Sequence, residues 1–367
     1  MSTALLISCG TPGVPMPPAL EMAKPVTDLR ASRKGARVYL AWTVPDKTTD
    51  HQTVRHPGPT RICRSLKPEI GDCTYPVSEV PASQFPLPEM KKRNTPIPKV
   101  QAGYTDIPPP ELQAQDPTGN ITYAVSVVNE SGRSAGLSNL VQVPSAPTLP
   151  PPQGLKAEVK SEGVLLSWAC QAELHATPAI QYKLRIYRRE NDRQAGAGGE
   201  KPKNDVRVLD ANFAECSETP LPQFLDQTFE WEKHYEYRAT VVTVIAAAGK
   251  PEVEVEGDDT PVVVVFAHDV FPPAVPTGLQ AVFSGVGQAP FIDLVWSPDT
   301  ESDLAGYNLF RRREGEQPVK LNSDPVKSPA YRDTNVQPGK KYFYSVSAVD
   351  ERGNESVRSE EASEQVP

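Results

Sequence analysis

Apolar and polar residues alternate with a period of two in short runs along most of the chain. The clearest runs end in tryptophan. Val38, Leu40 and Trp42 form one, Val164, Leu166 and Trp168 a second, and Ile292, Leu294 and Trp296 a third. A period of two puts these side chains on one face of a β-strand, whereas a buried helix face would repeat every three or four residues. Downstream of each run come an aromatic residue, any residue and aspartate: Tyr104 and Asp106, Phe224 and Asp226, Tyr331 and Asp333. Each copy then reaches a tyrosine within a further alternating run, namely Tyr123, Tyr237 and Tyr344. Recurrence of the whole set predicts three tandem domains of one kind.

The pattern therefore predicts an all-β chain of three immunoglobulin-like β-sandwiches. Residues 1–23 read as a remnant of an export signal and a proline-rich tether, and residues 24–144, 152–270 and 273–367 as the three domains. A length of 367 residues suits this count, since each copy is large enough to bury a two-sheet core. The 40 prolines cluster in the first third and between the repeats, as in residues 144–152 and at Pro272, Pro273 and Pro276. Proline there stiffens the connections, which predicts an elongated array.

Further residues carry a resemblance to the fibronectin type III domain. Each first strand opens with proline and leucine: Pro25 and Leu29, Pro152 and Leu155, Pro276 and Leu279. The third strand reads apolar, aromatic, arginine in Ile186, Tyr187, Arg188 and in Leu309, Phe310, Arg311; in repeat one it becomes Ile62, Cys63, Arg64. The resemblance implies buried tryptophans in all three repeats. It also implies that a corner tyrosine locks a loop through its hydroxyl. Tyr235 and Tyr342 match this position, but repeat one has Ile121, so its corner must be looser or fixed by other means.

Repeats one and two carry insertions. From the third-strand arginine to the aspartate of the aromatic motif is 22 residues in repeat three, 38 in repeat two and 42 in repeat one. The extra residues fall at about 65–103, where proline dominates, and at about 190–222, where Gly196, Gly198 and Gly199 lie. Segments of this length are where partner-specific contacts are expected.

Composition narrows the function. A net charge of −8 argues against nucleic acid as a partner, which needs a concentrated basic face. The runs Lys91 to Arg93 and Arg311 to Arg313 read as solvated. No apolar stretch approaches the length of a membrane span. Leu6, Ile7, Ser8 and Cys9, followed by Gly10, resemble the bacterial lipobox. The resemblance implies cleavage before Cys9 and a lipid thioether on its sulfur. It also implies delivery to the outer membrane, because Gly10 is not the aspartate that retains such proteins in the inner membrane. Only Ala4 to Ile7 precede the site and no lysine or arginine lies upstream, so Met1 is not expected to be the natural start.

Four cysteines remain, an even number that suits an oxidising compartment. Three pairings exist; Cys63 with Cys73 and Cys170 with Cys216 is preferred, since each bond then stays within one repeat. By alternation Cys63 faces away from the core, where a loop cysteine can reach it.

Candidate chemistry is sparse. None of His51, His56, His175, His234 and His268 is spaced for a metal, and all read as exposed loop residues. Asp299, Glu301 and Asp303 offer oxygen ligands at alternate positions but lack a completing glycine turn and distal glutamate, so a capped, hydrated turn is the better reading. Asp258 and Asp259 follow Gly257 and read as a turn breaking the last strand. Trp231 alone lies outside the repeated tryptophan positions and is the weak candidate for stacking on a sugar. No metal or cofactor is expected. The leading expectation is a non-enzymatic, lipid-anchored protein of the bacterial cell envelope, serving as spacer and interaction scaffold for an envelope protein. The alternative is an accessory protein that binds a glycan.

Overall fold

The computed structural model describes residues 21–84, 99–169, 177–191, 205–212, 221–246, 251–284 and 289–367. Cys9, Cys170, Cys216, residues 85–98 of the first insert and most of the second insert lie outside the described residues.

The first domain contains β1 (Arg30–Lys34), β2 (Arg37–Thr43), β3 (Thr60–Ser65), β4 (Ser78–Val80), β5 (Gln101–Asp106), β6 (Asn120–Val127) and β7 (Val141–Pro144). One sheet has the order β1-β2-β5 and faces another of order β4-β3-β6-β7. The second contains β8 (Gln153–Lys160), β9 (Gly163–Ala169), β10 (Ile180–Glu190), β11 (Val206–Asn212), β12 (Gln223–Asp226), β13 (Lys233–Ile245), β14 (Val253–Asp259) and β15 (Val263–Ala267). Its sheets are β12-β9-β8 and β11-β10-β13, with β14 and β15 both paired to the long β13. The third contains β16 (Gln280–Ser284), β17 (Phe291–Val295), β18 (Leu304–Arg312), β19 (Val319–Lys320), β20 (Ala330–Asp333), β21 (Lys341–Asp350) and β22 (Ala362–Gln365), in sheets β16-β17-β20 and β19-β18-β21-β22. The three domains repeat one arrangement, three strands against four or five, and the strand pairings are antiparallel.

Alternation translates directly into burial. On β2, Val38, Leu40 and Trp42 are buried while Arg37 and Tyr39 face solvent. Three separate clusters result, and each holds one of the repeated tryptophans: Trp42, Trp168 and Trp296. Each fully buried aliphatic side chain contributes about 1.5–3 kcal/mol, and these terms are set against the entropy of ordering the chain.

The corners differ as the tyrosine pattern implies. The Tyr235 hydroxyl accepts from the Glu230 amide at 2.9 Å, and the Tyr342 hydroxyl accepts from the Gln337 amide at 3.0 Å. In the first domain Ile121 is part of the core, and the chain before β6 forms a short helix, α1 (Pro110–Gln115). The Gln113 side chain donates to the Pro108 carbonyl at 3.3 Å, and the Ser145 hydroxyl reaches the Asp116 and Gly119 carbonyls. That corner is fixed by other side chains rather than loosened.

Two local readings need correction. Asp258 and Asp259 still belong to β14; the break between β14 and β15 falls just after them. Arg311 is not a solvated strand-end residue, because its side chain is only 21 % exposed and is ion-paired to Asp333.

Cys63 and Cys73 are joined by a disulfide, with Cα atoms 5.5 Å apart. Closing a loop this short removes unfolded-chain entropy worth about 2–3 kcal/mol. Reduction is therefore expected to lower the thermal transition of the first domain and leave the third unchanged, as read by calorimetry with and without reductant.

Candidate functional site

One constellation occurs in every domain. Arg64 on β3 lies directly across from Tyr123 on β6, Arg188 on β10 from Tyr237 on β13, and Arg311 on β18 from Tyr344 on β21. Both side chains of each pair reach over the core to the aspartate that ends a strand of the facing sheet. Asp106 accepts from the Arg64 guanidinium at 2.7 Å and from the Tyr123 hydroxyl at 2.6 Å. For Asp226 the distances are 2.6 Å from Arg188 and 2.9 Å from Tyr237. For Asp333 they are 2.8 Å from Arg311 and 2.9 Å from Tyr344. The aspartates are nearly or fully buried, so each carboxylate exchanges its water shell for charge-assisted hydrogen bonds.

The electrostatics fit a structural bolt rather than a reaction centre. Burial first, with the carboxylate beside it, pushes the phenols of Tyr123, Tyr237 and Tyr344 far above the ordinary tyrosine range. Their hydroxyls stay protonated and act as donors. In the second and third domains the guanidinium also lies over the corner tyrosine, Arg188 at 5.1 Å from the Tyr235 ring and Arg311 at 5.3 Å from that of Tyr342. The sequence displayed each of these residues at a fixed strand position. That they meet is legible only once the two sheets face each other.

The acidic set Asp299, Glu301 and Asp303 is not held together as one site. Asp299 accepts from the Glu301 amide at 2.9 Å, the turn-capping role expected of it. Glu301 accepts from the Ala274 amide at 2.9 Å, at the start of the third domain. Asp303 instead approaches Asp269 and Asp350, with one oxygen of each within 4.8 Å of the others. That cluster is already satisfied. Arg352 lies 3.2 Å from Asp269 and 3.7 Å from Asp303. Asp350 accepts from the amides of Arg352 and Asn354 and from the Asn354 side chain at 2.7–2.8 Å. It is an ion-paired domain junction.

Trp231 is half-buried. Its ring stands edge-on to Phe229 at 4.7 Å and lies 6.2 Å from Phe271, so part of it packs on the core of the second domain. His51, His56, His234 and His268 are exposed, and His234 stacks on Phe266 at 4.4 Å from within β13 rather than from a loop. A half-open cavity of about 440 Å³ at one end of the first domain is lined by Lys24, Asp28, Asp46, Lys47 and Lys99, among others. The carboxylate of Asp28 is already bound by the Thr43 hydroxyl and amide, which hold its pKa below the usual range. No helix among the described residues is long and apolar enough to cross a membrane.

No protein-family model matches the chain. The amylopullulanase of Thermoanaerobacterium saccharolyticum is 45 % identical over 94 residues, which is 25 % of this chain and 7 % of that protein. The amylopullulanase of Thermoanaerobacterium thermosulfurigenes is 41 % identical over 97 residues, 26 % of this chain and 5 % of that protein. The chain thus spans less than a tenth of the length of these curated relatives, a stretch the size of one domain. Among solved structures, an Fn3-like protein from Clostridium thermocellum is 36 % identical and corresponds to 26 % of this chain and 96 % of its own, with a TM-score of 0.23. The chicken CNTN1 FN1-FN3 domains correspond to 93 % of this chain and 99 % of their own at 13 % identity, with a TM-score of 0.26. The chain is a tandem array of fibronectin type III-like β-sandwiches.

Proposed function

We propose that the chain is a non-enzymatic spacer and protein-interaction scaffold of the bacterial cell envelope, attached through lipid on Cys9. The observation that carries the scaffold reading is the fate of the buried ionisable groups. Arginine, aspartate and tyrosine meet at the same place in all three domains, and the acidic residues at the domain junctions are bound by arginine, lysine or backbone amides. Groups used identically in every copy serve the fold, which leaves surfaces, inserts and domain spacing as the means of meeting other molecules. The anchor rests on the lipobox resemblance. Acyl chains contribute about 0.8 kcal/mol per buried methylene, and more than one chain is needed for lasting attachment. Cys9→Ala should move the protein from the detergent phase to the aqueous phase in cell fractionation; unchanged partitioning would overturn the anchor.

A second reading, an accessory protein that binds carbohydrate, is favoured by the likeness to amylopullulanases over one domain's length. It requires the full chain to be retained on insoluble starch or peptidoglycan. Free passage over both supports the scaffold reading.

A further inference from the structure

The junction between the first two domains has two unlike parts. Within the linker, Ala146 is fully buried and forms a small apolar cluster with Ile245 of β13 and Val255 of β14. The next residue, Pro147, accepts a hydrogen bond at 3.0 Å from the Thr243 hydroxyl. These contacts pin the linker to the second domain at one point.

The second part is ionic. The turn joining β1 to β2 lies against β14. Gly35, in the left-handed region at φ +58°, donates its amide to the Glu256 carbonyl at 2.8 Å. A Cβ there would stand 2.6 Å from the Asp258 carboxyl group, so glycine permits both the turn and the approach. The flanking cations complete the contact. Lys34 lies 2.7 Å from Glu256 and 2.9 Å from Asp259, and Arg37 lies 3.1 Å from Asp258. On the far side the same carboxylates are held in place by their own domain. Arg185 lies 3.3 Å from Glu256, the Tyr187 hydroxyl donates to Glu256, and Arg238 lies 2.7 Å from Asp259. Desolvation opposes the charge on Glu256, but hydrogen bonds from Lys34, Tyr187 and Arg185 outweigh it and lower its pKa to about 2.

We propose that this turn and β14 form an electrostatic latch, which fixes the angle between the first two domains and opens about the Ala146 pin when salt screens it. The physical basis is the contrast between the two parts. The Lys34 pairs are only partly buried, and the Arg37–Asp258 pair is about half exposed. Such pairs weaken as ionic strength rises, whereas the buried apolar pin does not. The acidic residues of β14 are preset by Arg185 and Arg238, so the latch closes on a ready surface. This stands whether or not Cys9 carries lipid, so its failure would leave the anchor reading untouched.

The test is hydrogen exchange at the Gly35 amide in the full chain, because that amide's partner belongs to the other domain. Raising salt from about 0.1 M to about 1 M shortens the screening length from roughly 10 Å to roughly 3 Å. Gly35 exchange is expected to be protected at the lower salt and to accelerate about tenfold or more at the higher. The amides of Val38 and Leu40, deeper in the first domain, should not change. Lys34→Glu should give the same acceleration at low salt. An unprotected Gly35 amide in the unaltered chain at low salt would overturn the latch, as would protection that survives high salt. Should Lys34→Glu also expose Val38 and Leu40, the salt series on the unaltered chain decides alone.

Discussion

Asp226→Ala is expected to destabilise the second domain by about 3–5 kcal/mol, because it leaves a buried guanidinium without its counter-charge. The side chain of Asp226 is 1 % exposed and that of Arg188 is 10 % exposed. Without Asp226, Arg188 keeps neutral partners among the described residues, the Thr228 hydroxyl at 3.2 Å, the Thr228 carbonyl at 2.9 Å and the Tyr235 ring, and no counter-charge among them. Tyr237 loses its acceptor at the same time. A loss of this size is a large share of the roughly 5–15 kcal/mol that holds a domain together. Calorimetry should show one transition falling by about 10–25 °C while that of the third domain stays in place. The paired substitution Arg188→Met with Asp226→Ala should recover much of the loss, since an apolar replacement removes the stranded charge as well as the bond. If Asp226→Ala shifts no transition, the triad does not bolt the two sheets together.

The triad also marks what the sequence could and could not disclose. The alternation Val38, Leu40, Trp42 and its two counterparts gave strands, the core face and the repeat, because burial on one side of a sheet imposes a period of two. Arg64, Asp106 and Tyr123 were each visible as punctuation of a repeat, yet 42 residues separate the first two. Their meeting depends on how two sheets face each other, which strand periodicity does not encode. Tyr235 and Tyr342 were legible as corner residues because each bonds a loop five residues away. Ile121 disclosed that the first corner is different. It did not disclose that α1 and Ser145 would fix it.

Junctions were less legible still. Lys34 and Glu256 lie 222 residues apart, and each reads alone as an ordinary surface charge on a strand. Asp258 and Asp259 looked like turn residues because aspartate after glycine usually breaks a strand. Here Lys34, Arg37 and Arg238 stabilise them at the end of β14. Asp303 looked like part of a local acidic set, but its company, Asp269 and Asp350, comes from a different domain and a different strand. Local spacing predicts local chemistry, whereas contacts between domains are chosen by the way whole sandwiches dock.

The tryptophans separate core from surface by a measurable margin. Trp42 is fully buried, and Trp42→Ala is expected to cost the first domain about 3–5 kcal/mol through lost burial and the cavity left behind. Trp231 is half-exposed, and its principal ring partner is Phe229. An edge-on aromatic pair of this kind is worth about 0.5–1.5 kcal/mol beyond the area it buries, so Trp231→Ala should lower the second domain's transition far less. The comparison also bears on function. An indole that only finishes the core leaves retention on insoluble polysaccharide unchanged when removed. An indole that stacks on sugar abolishes retention while thermal unfolding barely moves. Loss of retention with a small thermal shift would therefore favour the carbohydrate reading over the scaffold, and a shift as large as that of Trp42→Ala would place Trp231 in the core and remove it as a sugar platform.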